Sequence, residues 1–360
     1  MSVLFERRRT RPVYVGAVGI GADHPIAIQS MTNTDTHDID ATYDQVMRLC
    51  EAGCDIVRIT APDLKSISTF EALISRGVKI PLVADVHFNH EIAVAAAESG
   101  VSKIRINPGN IGSEDKIRLV TEACKRNSVP IRIGVNSGSL EKHILEKYGS
   151  PTPEALAQSA LYHAELLERF DFRDIVISVK ASSVTDMICA NRILAGATNY
   201  PLHLGVTEAG GGNSAIVKSS IGIGALLSEG IGDTVRVSLT DDPVEEVYAA
   251  KEILKALGKL ENPGLDIVSC PTCGRTKIDL IRLVSEFKDR AAKEGIDKLN
   301  IKVALMGCVV NGPGEAREAD LGIAGGNGEG LIFKKGEILR KIEESRLIDE
   351  LILEIKKEYL

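Results

Sequence analysis

Three cysteines near the end of the chain have the types and spacing of metal ligands. Cys270 and Cys273 form a Cys-Pro-Thr-Cys pair, and Cys308 lies in a glycine-rich turn at residues 307–315. No histidine follows His203, so this region offers three thiolates and no imidazole. Structural zinc needs four nitrogen or sulfur ligands in nearly all cases, whereas three thiolates with one unusual ligand fit an iron–sulfur cluster. The pattern therefore favours a cluster.

Glu315, in the same turn as Cys308, is a candidate for that fourth ligand. A carboxylate is a hard ligand, and at one iron it would be displaceable. Two other interpretations stay open: a structural zinc site, and thiols that are redox-active or simply buried. The remaining cysteines lie in apolar helical stretches, where we expect small buried hydrophobic residues. They are Cys50, Cys54, Cys124 and Cys189.

A second group consists of five cations that stand in short apolar predicted strands. They are Arg58, Arg105, Arg132, Lys180 and Arg236. Side chains alternate between the two faces of a strand, so apolar neighbours that face helices leave each cation facing the lumen of a barrel. Like charges buried together need a counter-anion, and the planar fork of arginine suits one with several charges. The pattern predicts a site for a polyanion.

Other polar residues fall at the same strand ends. Asp85 and His87 follow the third strand, Asn136 ends the fifth, and Glu208 follows the seventh. Glu208 is the best candidate for acid/base catalysis because it stands beside the cations, and a salt bridge is the alternative explanation. His87 is a candidate for the anion site or for a structural role.

Strands and helices alternate regularly over the first part of the chain. Eight short β-branched runs each precede a polar or glycine-rich turn, with helical spacing between them. The runs are residues 26–31, 55–60, 81–86, 103–107, 131–136, 174–180, 202–207 and 234–239. They predict an α/β fold with an N-terminal (β/α)8 TIM-like barrel at residues 1–260. An open doubly wound sheet is the alternative, but the chain lacks a dinucleotide motif.

A smaller α+β domain is predicted at residues 265–360, after a linker at residues 261–264. An extended run at 265–269 and a strand at 299–305 enclose a helix at 277–293. Two hairpin-like strands flank the turn at 325–328, and an amphipathic helix closes the domain at 337–357. Because all three candidate thiolates fall here, we expect this to be the iron–sulfur domain.

Charge and composition narrow the class of protein. The net charge of -7 argues against nucleic acid as a partner, and no apolar stretch is long enough to span a membrane. Residues 7–9 are three arginines with no apolar run after them, so we expect a solvated arm and no targeting signal. Seven cysteines spread over a long chain are not a disulfide framework. We expect a cytoplasmic protein.

Six stretches of the chain match the motifs of one enzyme family. They are residues 28–34, 84–88, 105–112, 205–211, 270–273 and 307–315. With them the chain resembles, nearly from end to end, the 4-hydroxy-3-methylbut-2-enyl diphosphate synthases in their short bacterial form. The resemblance implies reductive opening of 2-C-methyl-D-erythritol 2,4-cyclodiphosphate to 4-hydroxy-3-methylbut-2-enyl diphosphate in isoprenoid biosynthesis. It also implies a [4Fe–4S] cluster and two electrons, delivered one at a time by flavodoxin or ferredoxin.

The same resemblance implies roles for particular residues. Cys270, Cys273, Cys308 and Glu315 would ligate the cluster, and Glu208 would act as acid/base. The cyclic diphosphate would be held by Arg58, Arg105, Arg132, Asn136, Lys180, Arg236 and Ser238, and we include Asp85 and His87 as further candidates. Asn89 replaces an aspartate seen in some members, which affects a peripheral contact.

The connection between the two predicted domains points to an assembly. The eighth barrel helix returns the chain to the amino ends of the strands, away from the cations, and the linker is short. A head-to-tail homodimer would let the cluster of one subunit meet the barrel of the other. Two rival interpretations remain: a non-redox barrel lyase or transferase with structural zinc, and an electron-transfer or binding module.

Overall fold

The computed structural model describes residues 6–309, 314 and 316–360. The chain divides into two compact units, Met1–Leu260 and Glu261–Leu360. Each unit has its own hydrophobic core. In the described ranges, no helix combines the length and the apolar character that crossing a bilayer requires.

The first unit is a barrel of eight parallel strands preceded by a hairpin of β1 (Val13–Val15) and β2 (Val18–Ile20). The strands pair in the order β8-β7-β6-β5-β4-β3-β10-β9, and a parallel bridge between Ile177 and Leu202 brings the two ends of the sheet together. The predicted (β/α)8 barrel is confirmed. Its strands are β3 (Ala27–Met31), β4 (Ile56–Thr60), β5 (Leu82–Asp85), β6 (Lys103–Ile106), β7 (Ile131–Asn136), β8 (Ile175–Lys180), β9 (His203–Leu204) and β10 (Thr234–Val235).

Helices cover the outside of this barrel, and the apolar strand residues Ile104 and Ile106 are among those that pack against them. Several helices begin at a side chain that caps their first free N–H groups: Asp38 accepts from the Ala41 N–H, and Thr152 from the Ala155 N–H. The helices are α1 (Ile39–Glu51), α2 (Ile67–Ser75), α3 (His90–Glu98), α4 (Pro108–Ile111), α5 (Glu114–Asn127), α6 (Lys142–Tyr148), α7 (Pro153–Arg169), α8 (Val184–Ala197), α9 (Gly212–Ser228) and α10 (Pro243–Ala256).

The N-terminal hairpin closes the amino end of the barrel. Val13, Val15 and Ile20 are buried against apolar residues near the beginnings of the barrel strands, among them Ile56 and Val176. This apolar plug forms the floor of the lumen. The polar lumen residues therefore lie above it, toward the carboxyl ends of the strands.

Two of the three arginines before the hairpin, Arg7 and Arg8, are bound to the barrel, so the expectation of a solvated arm is wrong for them, whereas Arg9 is exposed. Arg7 pairs with the buried Asp233 at 2.8 Å. Arg8 donates to the backbone carbonyl groups of Ala195 at 3.2 Å and Tyr200 at 2.6 Å. Carbonyl groups at the ends of a helix and a loop need donors, and these guanidinium groups satisfy them.

Among its described residues, the second unit has a five-stranded sheet and two long helices. The first three strands are parallel, and the last two pair antiparallel, in the order β11-β12-β13-β14-β15. Phe287 and Leu351, one from each helix, are fully buried in its core. The elements are β11 (Asp266–Ser269), α11 (Leu280–Lys293), β12 (Lys302–Met306), β13 (Leu321–Gly325), β14 (Glu329–Lys334), β15 (Glu337–Glu343) and α12 (Leu347–Tyr359).

The predicted closing helix at 337–357 is wrong in its first part, because that stretch forms the edge strand β15. Ile338, Leu339 and Ile342 have a spacing that also fits a helix, which misled the prediction. Lys335 and Gly336 both have positive φ, +48° and +83°, the conformation of a two-residue hairpin turn. That turn reverses the chain onto β14, and the helix begins only at Leu347.

Candidate functional site

A polar cavity of about 240 Å³ opens in the barrel lumen, toward the carboxyl ends of the strands. Every residue predicted to bind the diphosphate lines it. The lining residues are Met31, Arg58, Asp85, His87, Arg105, Arg132, Gly134, Asn136, Ser178, Lys180, Thr207, Arg236 and Ser238. The structure thus gathers seven separate predicted contacts, together with Asp85 and His87, from different strands into one place.

Strand register explains why these cations meet. Arg105 on β6 lies beside Arg132 on β7, and Asn136 on β7 lies beside Lys180 on β8. Neighbouring parallel strands in register present side chains of the same layer to the lumen. Because side chains alternate between the two faces of a strand, the branched residues that lie between the polar residues in sequence point to the outer face of the barrel, against the helices.

Two carboxylates balance part of the positive charge. Asp85 pairs with Arg105 at 3.0 Å and with Arg58 at 3.5 Å. Glu246, on α10, pairs with Arg236 at 2.9 Å. Burial disfavours the charged form of Asp85, but the two guanidinium groups outweigh this and lower the pKa of Asp85 below its usual range. Asp85 is therefore a carboxylate at neutral pH.

Arg132 and Lys180 have no carboxylate partner among the described residues. Both side chains are buried. The Nε and Nη1 atoms of Arg132 have no hydrogen-bond partner in the part of the chain that the structure describes. Burial, with the neighbouring Arg236 and Arg58, lowers the pKa of Lys180 well below its usual value. An anion in the cavity would relieve both residues.

The remaining predicted residues occupy different positions at the cavity mouth. His87 places Nε2 3.3 Å from Nη1 of Arg105, so this nitrogen faces a donor and is suited to accept. Asn136 and Ser238 line the cavity as neutral polar groups. Glu208 is exposed, follows the lining residue Thr207 and adopts a left-handed conformation with φ of +54°. It therefore lies at the rim and outside the cavity lining.

Several contributors to the site escaped sequence reasoning. Met31 accepts hydrogen bonds on its sulfur from Arg58, at 3.1 Å from Nε and 2.9 Å from Nη2. A Cβ at Gly134 would lie 2.4 Å from Nε of Arg105, so glycine there leaves room for the guanidinium group. Two-residue spacing from Arg132 to Gly134 and Asn136 was a usable signal. No signal in the sequence indicated the pairing of Glu246 with Arg236, because this contact joins a helix to the end of a strand.

A larger groove, of about 840 Å³, lies on the outer surface between α9 and α10. It is lined by apolar residues such as Ile216 and Tyr248, and its charged members are all acidic: Asp241, Asp242, Glu245 and Glu252. Such a groove repels anions. The smaller cavity in the lumen is therefore the candidate anion site despite its size.

In the second unit, two of the candidate thiolates lie near the carboxyl ends of adjacent parallel strands. Cys270 directly follows β11, and Cys308 comes two residues after β12. The Gly307 N–H donates to Cys270 Sγ at 3.3 Å, which ties the two turns together. Hydrogen bonds from the Arg275 backbone and side chain lower the pKa of the Cys273 thiol. Soft thiolates with N–H donors around them suit an iron–sulfur cluster.

The ligand set itself is not assembled among the described residues. No group of three or more His, Cys, Asp or Glu side chains there is close enough together to hold a metal ion. The predicted fourth ligand, Glu315, lies outside the described residues. The structure brings the three cysteines to neighbouring turns. Their role as cluster ligands remains a prediction.

The other four cysteines divide into two pairs. Cys54 and Cys124 are buried, as expected, and burial raises the pKa of each thiol to about 12. Cys50 and Cys189 are exposed, so the expectation of burial is wrong for them. Each lies on the solvent side of an amphipathic helix, where one apolar residue does not mark the buried face.

Two family models match the chain in succession. The GcpE TIM-barrel domain matches residues 10–251, and the GcpE protein C-terminal domain matches residues 266–357. The boundary between the two matches falls where the structure divides into two units.

Curated relatives match over nearly the full length. A protein from Clostridium perfringens is 58% identical over 96% of this chain and 98% of its own length. One from Clostridium tetani is 56% identical over 98% of this chain and 99% of its own, and one from Geobacillus thermodenitrificans is 54% identical over 99% and 94%. All three relatives are named 4-hydroxy-3-methylbut-2-en-1-yl diphosphate synthase (flavodoxin).

Because Arg132 has no carboxylate partner among the described residues, we can predict how its replacement changes the stability of the protein. In buffer without multivalent anions, Arg132→Met should leave the free energy of unfolding unchanged or raise it by about 1–4 kcal/mol, because a buried unpaired charge is removed. Sulfate should raise the melting temperature of the parent protein and no longer raise that of the variant. Urea unfolding and thermal melts measure the two effects. The control is the exposed Arg126→Met, which should keep the response to sulfate. Strong destabilisation of Arg132→Met with an intact sulfate response would contradict the assignment.

Proposed function

The chain belongs to the GcpE family, and from that premise we propose that it converts 2-C-methyl-D-erythritol 2,4-cyclodiphosphate to 4-hydroxy-3-methylbut-2-enyl diphosphate. The reaction takes up two electrons and one proton, breaks a ring bond between carbon and phosphate oxygen, and releases water. The substrate is a dianion, and the product carries one more negative charge. The enzyme must therefore hold a diphosphate, receive electrons and supply a proton.

The observation that carries the proposal is the uncompensated charge of Arg132 in the lumen cavity, which the buried amine of Lys180 also lines. A cyclic diphosphate offers both buried residues an anionic partner. Arginine can bind two phosphate oxygens at once, which fixes the orientation of the ring. Asn136 and Ser238, which also line the cavity, supply neutral hydrogen bonds for the remaining oxygens.

The same cations also favour bond cleavage. Opening the ring leaves a new negative charge on the departing phosphate oxygen, and donors already held in place stabilise such charge as it develops. The ion pairs of Asp85 and Glu246 keep the surrounding arginines in position without neutralising Arg132 or Lys180. The barrel therefore binds and orients the substrate and stabilises the leaving group.

Electrons must come from elsewhere, and we propose a [4Fe–4S] cluster in the second unit. Cys270, Cys273 and Cys308 would be three of its ligands and Glu315 the fourth. When bound, such a cluster passes electrons one at a time. The relatives' printed names give flavodoxin as the electron donor of those proteins, and we propose flavodoxin or ferredoxin here. The cysteines are all free, which is consistent with a reducing, cytoplasmic setting.

Glu208 is our candidate for the proton donor. Asp85, the other nearby carboxyl group, is held ionised by Arg58 and Arg105 and is a poor proton carrier at neutral pH. Glu208 has access to solvent at the rim of the cavity, so it can exchange protons between turnovers.

We further propose a head-to-tail homodimer in which each active site combines the barrel of one subunit with the cluster of the other. The connection between α10 and β11 is short, and it leaves the barrel at the end opposite the cavity mouth. Exposed apolar residues on α9, Val217 and Ile221, give the barrel an uncovered surface of the kind that subunits bury. A dimer would also explain why two separate units act in one reaction.

Loss of one thiolate should abolish the function of the cluster unit and leave anion binding by the barrel intact. Cys273→Ser should lose most of its iron and sulfide and all turnover, because a hydroxyl is a poor ligand for a cluster. The sulfate response of the barrel should survive. Metal and sulfide analysis of anaerobically purified protein measures the first effect, and the exposed Cys189→Ser is the matched control, expected to match the parent protein. Parental protein that holds zinc without sulfide would favour the zinc-containing lyase or transferase.

Replacement of the proposed proton donor should affect rate more than binding. Glu208→Gln keeps the size of the side chain and removes its proton, so kcat should fall about 10²–10⁴-fold with substrate affinity nearly unchanged. Steady-state turnover and equilibrium binding measure the two terms, with the distant Glu122→Gln on α5 as control. An unchanged kcat would remove Glu208 from the mechanism.

A shared active site predicts rescue between two inactive chains. Arg132→Met disables a barrel and Cys273→Ser disables a cluster, so a head-to-tail heterodimer of the two has one site with neither defect. Random pairing on co-expression should then restore about one quarter of parental activity, since half of the dimers are mixed and half of their sites are intact. Turnover of the co-expressed pair, normalised to total protein, is the measurement. No activity above that of either variant alone would place each site within one subunit.

A further inference from the structure

A second polar layer lies in the barrel below the cavity. Lys103 precedes Arg105 by two residues on β6, so both side chains point into the lumen and Lys103 lies nearer the amino end. Its partner on β5 is Val83, part of the apolar plug. Gln29 lies two residues before Met31 on β3, and His203 lies four residues before Thr207 at the start of β9, so both lie nearer the amino end than these cavity-lining residues.

The polar atoms of this layer are poorly satisfied. Lys103 is fully buried, and its Nζ has no hydrogen-bond partner among the described residues. The same holds there for both amide atoms of Gln29 and for Nε2 of His203, whose Nδ1 lies 2.7 Å from Thr234 Oγ1. Buried amines without an acceptor are rare, because a charged one costs several kcal/mol. Lys103 therefore needs an explanation.

The charges around Lys103 are mostly positive. The charged and titratable groups that face the lumen from the surrounding elements are Arg58, Asp85, His87, Arg105, Arg132, Lys180, His203 and Arg236, with Glu246 reaching in from α10. Both carboxylates are already committed to arginines. Burial, together with Arg132 and Arg58, lowers the pKa of Lys103 well below its usual value. These surroundings therefore favour the neutral amine as long as no anion is bound.

We propose that Lys103 takes up a proton from solvent when a dianion fills the cavity above it, so that anion binding and protonation of this buried amine are linked. Negative charge in the cavity offsets Arg132 and its neighbours, and the ammonium form becomes favourable. The extra negative charge of an opened diphosphate would hold the proton more firmly. The identity of the dianion rests on the proposed function, whereas the linkage itself requires only an anion with two charges.

Calorimetry tests the linkage directly. Oxidised holoenzyme without reductant is titrated with the cyclic diphosphate, and separately with sulfate, at pH 8.5 in two buffers of different ionisation heat. Both ligands are fully ionised dianions at this pH and contribute no proton. The parental protein should take up as much as about one proton per site, whereas Lys103→Met should take up none. Lys180→Met, His87→Asn and His203→Gln, which remove the other titratable bases of the lumen, should keep the uptake per bound anion.

The possible results of this experiment support or overturn the linkage, the role of Lys103 and the proposed substrate separately. Heats independent of buffer in the parental protein would overturn the linkage, whether or not Lys103→Met folds. Uptake that persists in Lys103→Met, or uptake per bound anion that disappears in any of the three control variants, would assign the proton to another group and overturn the role of Lys103. Sulfate binding with proton uptake, but no binding of the cyclic diphosphate, would leave the linkage standing and refute the proposed substrate.

Discussion

The structure depends on positive charge that the protein itself leaves unbalanced. Asp85 and Glu246 pair with Arg58, Arg105 and Arg236, while Arg132, buried in the same lumen, has no carboxylate partner among the described residues. Removing such charge from water is costly, and the cost is recovered only when an anion enters. Selectivity for a multiply charged ligand then follows, since a neutral or cationic molecule offers these groups nothing.

The barrel makes this arrangement possible by holding each cation on a rigid strand. Strand register sets Arg105 beside Arg132, and the glycine at position 134 leaves the space that the Arg105 guanidinium group occupies. The apolar plug of the N-terminal hairpin seals the floor, so the cavity opens only toward the carboxyl ends of the strands. Reductive chemistry requires a second component, and the turns that carry Cys270 and Cys308 belong to a separate unit with its own core. We propose that substrate binding and electron supply are divided between these two folds.

Much of this was readable from the sequence, because alternation along a strand is a local rule. Arg58, Arg105, Arg132, Lys180 and Arg236 were each placed in the lumen by their apolar neighbours, and the barrel followed from the repeated strand and helix units. Contacts between distant elements were not readable: nothing near Arg236 identifies Glu246 as its partner, and nothing near Arg7 identifies Asp233. The strand β15 was missed because its apolar spacing suits a helix, and only the turn at Lys335 and Gly336 separates the two structures.

We propose that the lumen cavity, and not the larger groove between α9 and α10, holds the cyclic diphosphate. The most direct test is a crystal structure of the oxidised holoenzyme with the cyclic diphosphate bound. We expect phosphate oxygens within hydrogen-bond distance of Arg132 and Lys180, with the ring between these residues and the cavity mouth. A diphosphate bound in the groove, or a lumen cavity left to solvent at saturating ligand, would contradict it.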